Sequence, residues 1–162
     1  LAKEALERFR GRDDRAAEAA AHEALVRAHL ASKDDEDALA LRSGWEAMEI
    51  AKALGQRRRL AQRLLVVATL HLANDQEYWA QLAVLEAMEI FQELKDRCGE
   101  GAAYQALAGV HLQAGNVEQA MSAADAARDV FQELGDSRRE AQVQIETSRV
   151  HNLAGDGRVA PR

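Results

Sequence analysis

A period of 40 residues is the feature of this sequence that most limits its fold. Blocks and single residues recur at this offset: Ala47–Ile50 matches Ala87–Ile90, Phe91–Leu94 matches Phe131–Leu134, and His71 matches His111 and His151. Matches in several separate blocks at one offset do not arise from composition alone, so the chain repeats one structural unit. Units of this size bury their apolar faces by stacking on their neighbours.

Each period contains two helical patterns and two breaks. In the clearest copy, helix A extends over about 97–114, and Gly115-Asn116 ends it because glycine accepts the left-handed conformation and asparagine can cap the next helix. Helix B extends over about 117–134 and ends at Gly135-Asp136, and Ser137–Glu140 predicts a capping box. Apolar residues at three- and four-residue spacing are the predicted core: Ala103, Leu107, Val110, Ala114, Ala120, Ala123, Ala124, Ala127 and Phe131. Small residues are expected where the two helices cross, namely Ala108, Gly109, Ala120 and Ala127.

The repeat divides the chain into helical hairpins. We expect one all-α domain over residues 1–154 with about eight helices, followed by a flexible tail at 155–162. The single proline, Pro161, fits this pattern because proline inside a helix removes a backbone donor. The predicted parts are a trailing B helix at 1–10, hairpins at 13–54, 57–94 and 97–134, and a final, capping A helix at 137–154.

The charge balance and the cysteine count disfavour several classes of function. The net charge of −6 and the isoelectric point near 5.4 argue against a nucleic-acid partner, which needs a surplus of Lys and Arg on one face. A single cysteine, Cys98, cannot form an internal disulfide or a thiolate metal cage, so a reducing compartment is permitted. No apolar run approaches the roughly 18 residues of a membrane-spanning helix, and no signal peptide is visible. We therefore expect a cytoplasmic chain that does not insert into membranes and, since it lacks an initiating Met, belongs to a longer protein.

The segment from Gly115 to Glu140 resembles the long, 40-residue form of the tetratricopeptide repeat. That form occurs in the spindle-orientation and G-protein-signalling modulator scaffolds and in kinesin light chains, and the junction Glu93–Gly101 also looks like that subfamily. The repeat's signature Leu, Gly/Ala, Gly, Ala and Ala are matched by Leu107, Ala108, Gly115, Ala120 and Ala127. The resemblance implies a right-handed superhelical solenoid of antiparallel hairpins, whose A helices line a concave groove that binds a segment of a partner protein.

Two sets of positions depart from the family pattern. The signature Tyr late in helix A is replaced by His71, His111 and His151, and the subfamily's groove Asn is replaced by Arg27, Thr69, Gly109 and Arg149. Counting around each A helix from its core positions nevertheless predicts an amide-rich groove with short apolar patches. The predicted groove residues are Glu23, Arg27, Gln62, Leu65, Thr69, Leu72, Gln105, Gly109, Leu112, Gln113, Gln142, Ile145, Arg149 and Asn152.

The histidines and the cysteine, which could carry chemistry, are predicted to have structural roles. The three repeated histidines are expected to be spaced along the stack by about 10–20 Å, whereas zinc ligands must converge at about 2 Å, so each is predicted to pack between hairpins with one hydrogen bond. His22 and His29 lie two turns apart and are not expected to share a metal. Cys98 has no sequence neighbour that would activate it. We predict no catalytic residues, no metal and no cofactor, and hence no enzyme.

Basic and aromatic clusters remain as possible contact sites. Arg57–Arg59 with Arg63 is the one basic cluster, interpreted as a solvated helix start that could also hold an acidic peptide or a phosphate. Trp45 and Trp79 are expected to be half-exposed on the convex side, near opposite ends of their B helices. The apolar residues that recur in the B helices are predicted to be core: Met48, Met88, Phe91 and Phe131.

Three binding functions compete at this stage. The leading hypothesis is a scaffold or adaptor that binds a peptide segment of another protein in the concave groove. An architectural solenoid packed within a larger assembly or multidomain protein is the alternative, and it would use the convex face around Trp45 and Trp79. An RNA-binding helical repeat is disfavoured by the negative charge. Exposed ends of the array could also pair two chains into a homodimer.

Overall fold

The computed structural model describes residues 20–22, 24 and 37–155, and within these residues all regular structure is α-helical. Residues 20–22 and 24 are helical, and six helices of nearly equal length follow. They are α1 (Asp37–Ala53), α2 (Arg57–Ala73), α3 (Glu77–Glu93), α4 (Arg97–Gln113), α5 (Val117–Glu133) and α6 (Ser137–Gly155). Helices α2, α4 and α6 are the first, or A, helices of the repeat, and α1, α3 and α5 are its second, or B, helices. The all-α prediction is confirmed, while the trailing helix predicted at 1–10, the start of the hairpin at 13–54 and most of the tail lie outside the described residues.

Every linker between these helices has three residues and one geometry. The middle residue has a positive φ in each case: Gly55 (66°), Asp75 (55°), Lys95 (53°), Gly115 (78°) and Gly135 (67°). Its N–H bonds to the carbonyl three residues earlier, and the next N–H reaches back five residues, as in Gly135 to Gln132 (3.0 Å) and Asp136 to Phe131 (2.9 Å). These paired bonds define a Schellman motif, which satisfies the last carbonyls of a helix. The same turn therefore sets the same angle between successive helices along the stack.

Two of the linkers end in an aspartate that caps the following helix. The Asp96 carboxylate accepts a hydrogen bond from the Gly99 N–H (3.1 Å), and the Asp136 carboxylate accepts one from the Arg139 N–H (3.2 Å). The predicted capping box that starts at Ser137 is wrong by one residue, since Ser137 is already the first helical residue. Asn116 occupies the N-cap position of α5, but its side chain makes no capping bond, contrary to expectation.

The core consists of small alanines and a few large side chains. All five predicted core residues of α5 are buried, as are Met48, Met88 and Phe91, so these predictions are confirmed. In α4, Ala103 and Val110 are buried and Leu107 is partly buried, but Ala114 is exposed because it lies past the last turn of the helix. The prediction that Gly109 lies at a helix crossing is wrong, because Gly109 is exposed, whereas Ala120 and Ala127 are fully buried as expected. Alanine at these sites lets the helix axes approach closely.

Each helix packs on the next along the chain, and the contacts within the hairpins α2–α3 and α4–α5 are the most extensive. Helix α2 also contacts α4, the corresponding A helix of the next hairpin. Corresponding helices of a curved stack come closest on its inner side, so this contact indicates that α2 and α4 line the inner side. The B helices then face outward.

Candidate protein-binding site

The inner face of α2 and α4 carries most of the predicted groove residues that the structure describes. Gln62 and Thr69 are exposed on α2, while Leu65 and Leu72 are partly buried because they also pack against the core. On α4, Gly109 and Gln113 are exposed, and Gln105 and Leu112 are partly buried. The surface is thus formed by amides, one hydroxyl and the edges of leucines, with no charged side chain among these eight residues.

Some of these polar groups already have partners within the protein. The Gln113 amide donates hydrogen bonds to the Leu72 carbonyl oxygen (2.7 Å) and to the Asp75 carboxylate (3.1 Å), which links α4 to the end of α2. The Thr69 hydroxyl donates to the Leu65 carbonyl (3.0 Å). Gln113 therefore presents mainly its amide oxygen to a ligand, and it helps to set the spacing between the two A helices. The sequence pattern did not distinguish this role from ligand binding.

Gly109 leaves the middle of this face open. A Cβ built on Gly109 would meet no heavy atom of another element within 4 Å. The glycine is therefore not required by packing, although glycine inside a helix costs about 1 kcal/mol relative to alanine. Its consequence is local: the α4 backbone is accessible there, between the partly buried side chains of Gln105 and Leu112.

The ends of the predicted groove are described only in part. Glu23 and Arg27 lie outside the described residues, and so do the side chains of Arg149 and Asn152. Gln142 and Ile145 on α6 are exposed, and Ile145 is among the large apolar residues with more than half of their surface accessible (57%). The predicted groove residues whose side chains are described thus lie on α2, α4 and the first half of α6.

His71 has the structural role that its place in the repeat predicts. It is buried, its Nδ1 lies 2.7 Å from the Gln76 side-chain oxygen, and its ring meets Trp45 edge-on with centroids 6.2 Å apart. His111, at the same position of the next repeat, is partly buried, and this burial lowers its pKa from the ordinary value of 6.5.

The other histidines have different surroundings. His22 is buried, and its Nε2 lies 3.0 Å from a Glu46 carboxylate oxygen. His29 and the side chain of His151 lie outside the described residues. Among the side chains that are described, no group of three or more His, Cys, Asp or Glu comes together as metal ligands would.

The basic cluster at the start of α2 is paired within the protein. Arg57 forms an ion pair with Glu93, Arg58 donates to the Asp96 carboxylate (2.6 Å), and Arg59 donates to the Gln56 side chain (3.1 Å). Arg63 is buried. Arg57 and Arg58 thus connect the start of α2 to the end of α3 and to the residue that caps α4, whereas Arg59 bonds back to the linker before α2.

The ion pair between Arg57 and Glu93 recurs one repeat later. Arg97 donates to Glu133 at 2.5 Å and to Glu100 at 2.5 Å, and both carboxylates raise the pKa of Arg97 above its ordinary value. Each pair connects the first residue of an A helix with the last residue of the B helix in the same hairpin. The 40-residue period therefore includes side-chain contacts as well as the backbone turns.

Cys98 has a neighbour that its sequence surroundings did not predict. The Arg139 guanidinium contacts its sulfur from one repeat later, and the same guanidinium lies 5.5 Å from the centroid of the Phe131 ring. Arg139 thereby ties α6 to the end of α5 and the start of α4.

Comparison with known proteins supports the helical-repeat fold. No protein-family model and no curated protein matches the sequence. Among solved structures, the crystal structure of BtubC (BKLC) from P. vanneervenii matches with a TM-score of 0.74 and 21% sequence identity, over 98% of this chain and 66% of that chain. The chain is a helical-repeat solenoid. Because the sequence identity is low, this likeness concerns the fold alone. The chain spans just under two thirds of the length of the protein that it matches.

The outer face of the solenoid carries the largest exposed apolar side chains of α3. Trp45 and Trp79 are half-exposed, as predicted, although Trp45 lies in the middle of α1 and not near its end. The other exposed members of this face, Tyr78, Leu82 and Leu85, are not among the predicted contact residues. They could have been found, since they lie opposite the buried row Ala80, Val84 and Ala87. None of the described helices is both long and apolar enough to span a lipid bilayer.

Proposed function

We propose that the solenoid is a tetratricopeptide-like scaffold or adaptor module that binds a peptide segment of a partner protein on the inner face of its A helices. The observation that carries this proposal is the set of eight uncharged groove residues on α2 and α4, where exposed Gln62 and Thr69 and the bare backbone at Gly109 adjoin partly buried leucines. Helical-repeat solenoids bury their core between units and use the extended inner surface for binding.

The composition of this face determines what kind of segment it suits. Side-chain amides can both donate to and accept from a peptide backbone, and leucine edges provide shallow apolar contacts. A glycine in the middle of the face lets the partner's backbone or a bulky side chain approach α4 closely. The preferred ligand is therefore an extended or helical peptide with apolar side chains and few charges along its contact surface.

We also propose that the module acts by binding alone. The residues that most often carry chemistry have structural contacts here: His71 with Gln76 and Trp45, and Cys98 with Arg139. The face on α2 and α4 offers amides and leucines, which recognise a ligand but do not activate a nucleophile or transfer a proton.

Peptide selection followed by substitution at Gly109 tests the groove. A peptide-display library selected on the purified chain would supply a ligand, whose affinity is then measured by fluorescence anisotropy. Gly109→Leu should weaken it at least about tenfold because the side chain fills the open space, while Gly109→Ala should leave it within about twofold. The groove assignment would be refuted if the affinity of the selected peptide is unchanged by Gly109→Leu but is lowered by substitutions on the outer face of α3.

A further inference from the structure

The N-terminal half of α3 presents a continuous apolar stripe to solvent. Tyr78, Leu82 and Leu85 follow one another at four- and three-residue spacing, and Trp79 packs edge-on against Tyr78 with centroids 5.5 Å apart. The exposed fractions are large for such side chains: Tyr78 66%, Trp79 56%, Leu82 42% and Leu85 46%. Single exposed apolar residues are ordinary, but four on one helix face form a patch of the kind that marks an interaction site. We call these four residues the outer stripe.

The repeat itself shows that this face need not be apolar. The next B helix, α5, has the same length and the same buried alanines, yet it carries polar residues at the four equivalent positions. Glu118, Gln119, Ser122 and Asp125 stand where Tyr78, Trp79, Leu82 and Leu85 stand in α3. The outer stripe is therefore a property of this one hairpin and not a requirement of stacking. On the preceding B helix, Trp45 occupies the position of Leu85 and is also half-exposed.

An acidic row borders the outer stripe. Glu86 and Glu89 lie on the same side of α3 as Leu82 and Leu85, both are exposed, and neither pairs with any residue that the structure describes. Glu49 repeats the Glu89 position on α1 and is exposed too. Helix α3 contains no Lys, Arg or His, so no basic residue of its own compensates this row.

We propose that the outer stripe docks an amphipathic α-helix of a partner protein, with an apolar face and a flank of Lys or Arg. The apolar face would cover Tyr78, Leu82 and Leu85, a distance of about 10 Å or two helical turns. The basic flank would lie beside Glu86 and Glu89, where opposite charges steer the encounter and fix the orientation. This second site is independent of the peptide groove, because it lies on the B helix of the hairpin and the groove lies on the A helices.

The charges argue against a second copy of the chain as the occupant. Two outer stripes packed antiparallel about Leu82 would bring Glu89 of one copy against Asp75 and Glu77 of the other. Such like-charge contacts cost free energy, and the net charge of −6 adds to the repulsion. A basic helix meets neither penalty.

Binding of two designed peptides tests the proposal on the intact chain. Both peptides are 18-residue, Trp-free amphipathic helices with the same leucine face, one flanked by Lys and the other by Glu. We expect the Lys peptide to bind at least about tenfold more tightly by fluorescence anisotropy, and the preference to weaken with added salt. Glu86→Lys with Glu89→Lys should reverse the preference.

The chain supplies its own matched control for the apolar contact. Leu82→Ser with Leu85→Asp copies the residues of α5, a helix of the same fold, so helicity by circular dichroism should be unchanged. This variant should lose at least about tenfold in affinity for the Lys peptide, whereas Gly109→Leu should change it by less than about twofold. Three results would each overturn the proposal. The first is equal binding of both peptides, and the second is binding of the Lys peptide that survives Leu82→Ser with Leu85→Asp. The third is a dimer of the wild-type chain in sedimentation that this variant abolishes. Failure of the groove test would leave these outcomes unaffected.

Discussion

The ring of Phe91 lies directly against the backbone of Gly99. A Cβ built on Gly99 would be 2.1 Å from the Phe91 Cδ1 atom, far inside any van der Waals contact. Phe91 is at the end of α3 and Gly99 is in the first turn of α4, so this contact sets how closely the two hairpins approach. One repeat later, Arg139 stands at the position of Gly99, and its guanidinium lies over the ring of Phe131. The same aromatic position is thus covered by a bare backbone in one interface and by a stacked cation in the next.

Replacing Gly99 with alanine should destabilise the solenoid by about 2 kcal/mol, because the added methyl group overpacks the Phe91 ring in a buried interface. The free energy of unfolding from urea titration measures this. A companion variant, Gly99→Ala with Phe91→Leu, should recover part of the loss, since the smaller side chain makes room for the methyl group. An unchanged urea midpoint for Gly99→Ala would contradict the close approach.

Replacing Gly109 with alanine should have the opposite effect. The added methyl group meets only open space, and alanine has the higher helix propensity, so the free energy of unfolding should rise by about 0.5–1 kcal/mol. The same urea titration measures the change, and Gly99→Ala in the same helix is the natural comparison. A loss of stability would mean that Gly109 has a packing role, as a residue at a helix crossing would.

The 40-residue period predicts most of this fold and only part of the candidate sites. Breaks near Gly115 and Gly135 could be located because glycine is the residue that favours a left-handed turn. Asp75 and Lys95 adopt the same turn without glycine, so only their alignment with the repeat indicated it. The pairing of Gln113 with Leu72 and Asp75 depends on the spacing between α2 and α4, which no local pattern contains.

Lys95 offers a direct test of the cost of these non-glycine turns. Its φ of 53° is unfavourable for a residue with a Cβ, and glycine would relieve this strain. Glycine also has greater entropy in the unfolded chain, which offsets part of the gain. Lys95→Gly should therefore stabilise the chain by about 0.5–1 kcal/mol. Lys95→Ala removes the charge but keeps the Cβ, and it should not stabilise the chain. Equal gains from both variants would show that the charge, not the backbone, is responsible. Differential scanning calorimetry of the three proteins measures the difference.

His111 should make the stability of the solenoid depend on pH. Partial burial lowers its pKa in the folded chain below the ordinary value of 6.5, so between these two values the unfolded chain binds more protons at this site. The free energy of unfolding should therefore fall as the pH drops through about 6.5, and this contribution should level off once the pH is below the folded-state pKa.

His111→Gln removes that titration while keeping a polar side chain of moderate size. The difference in free energy of unfolding between wild type and His111→Gln, measured by urea titration from pH 7.5 down to pH 5, isolates His111 from the other four histidines. Wild type should lose more stability than the variant over this range, because only wild type takes up the extra proton on unfolding. Parallel pH profiles would show that His111 is as accessible to protonation in the folded chain as in the unfolded one, and a steeper profile for the variant would mean that a proton on His111 stabilises the fold.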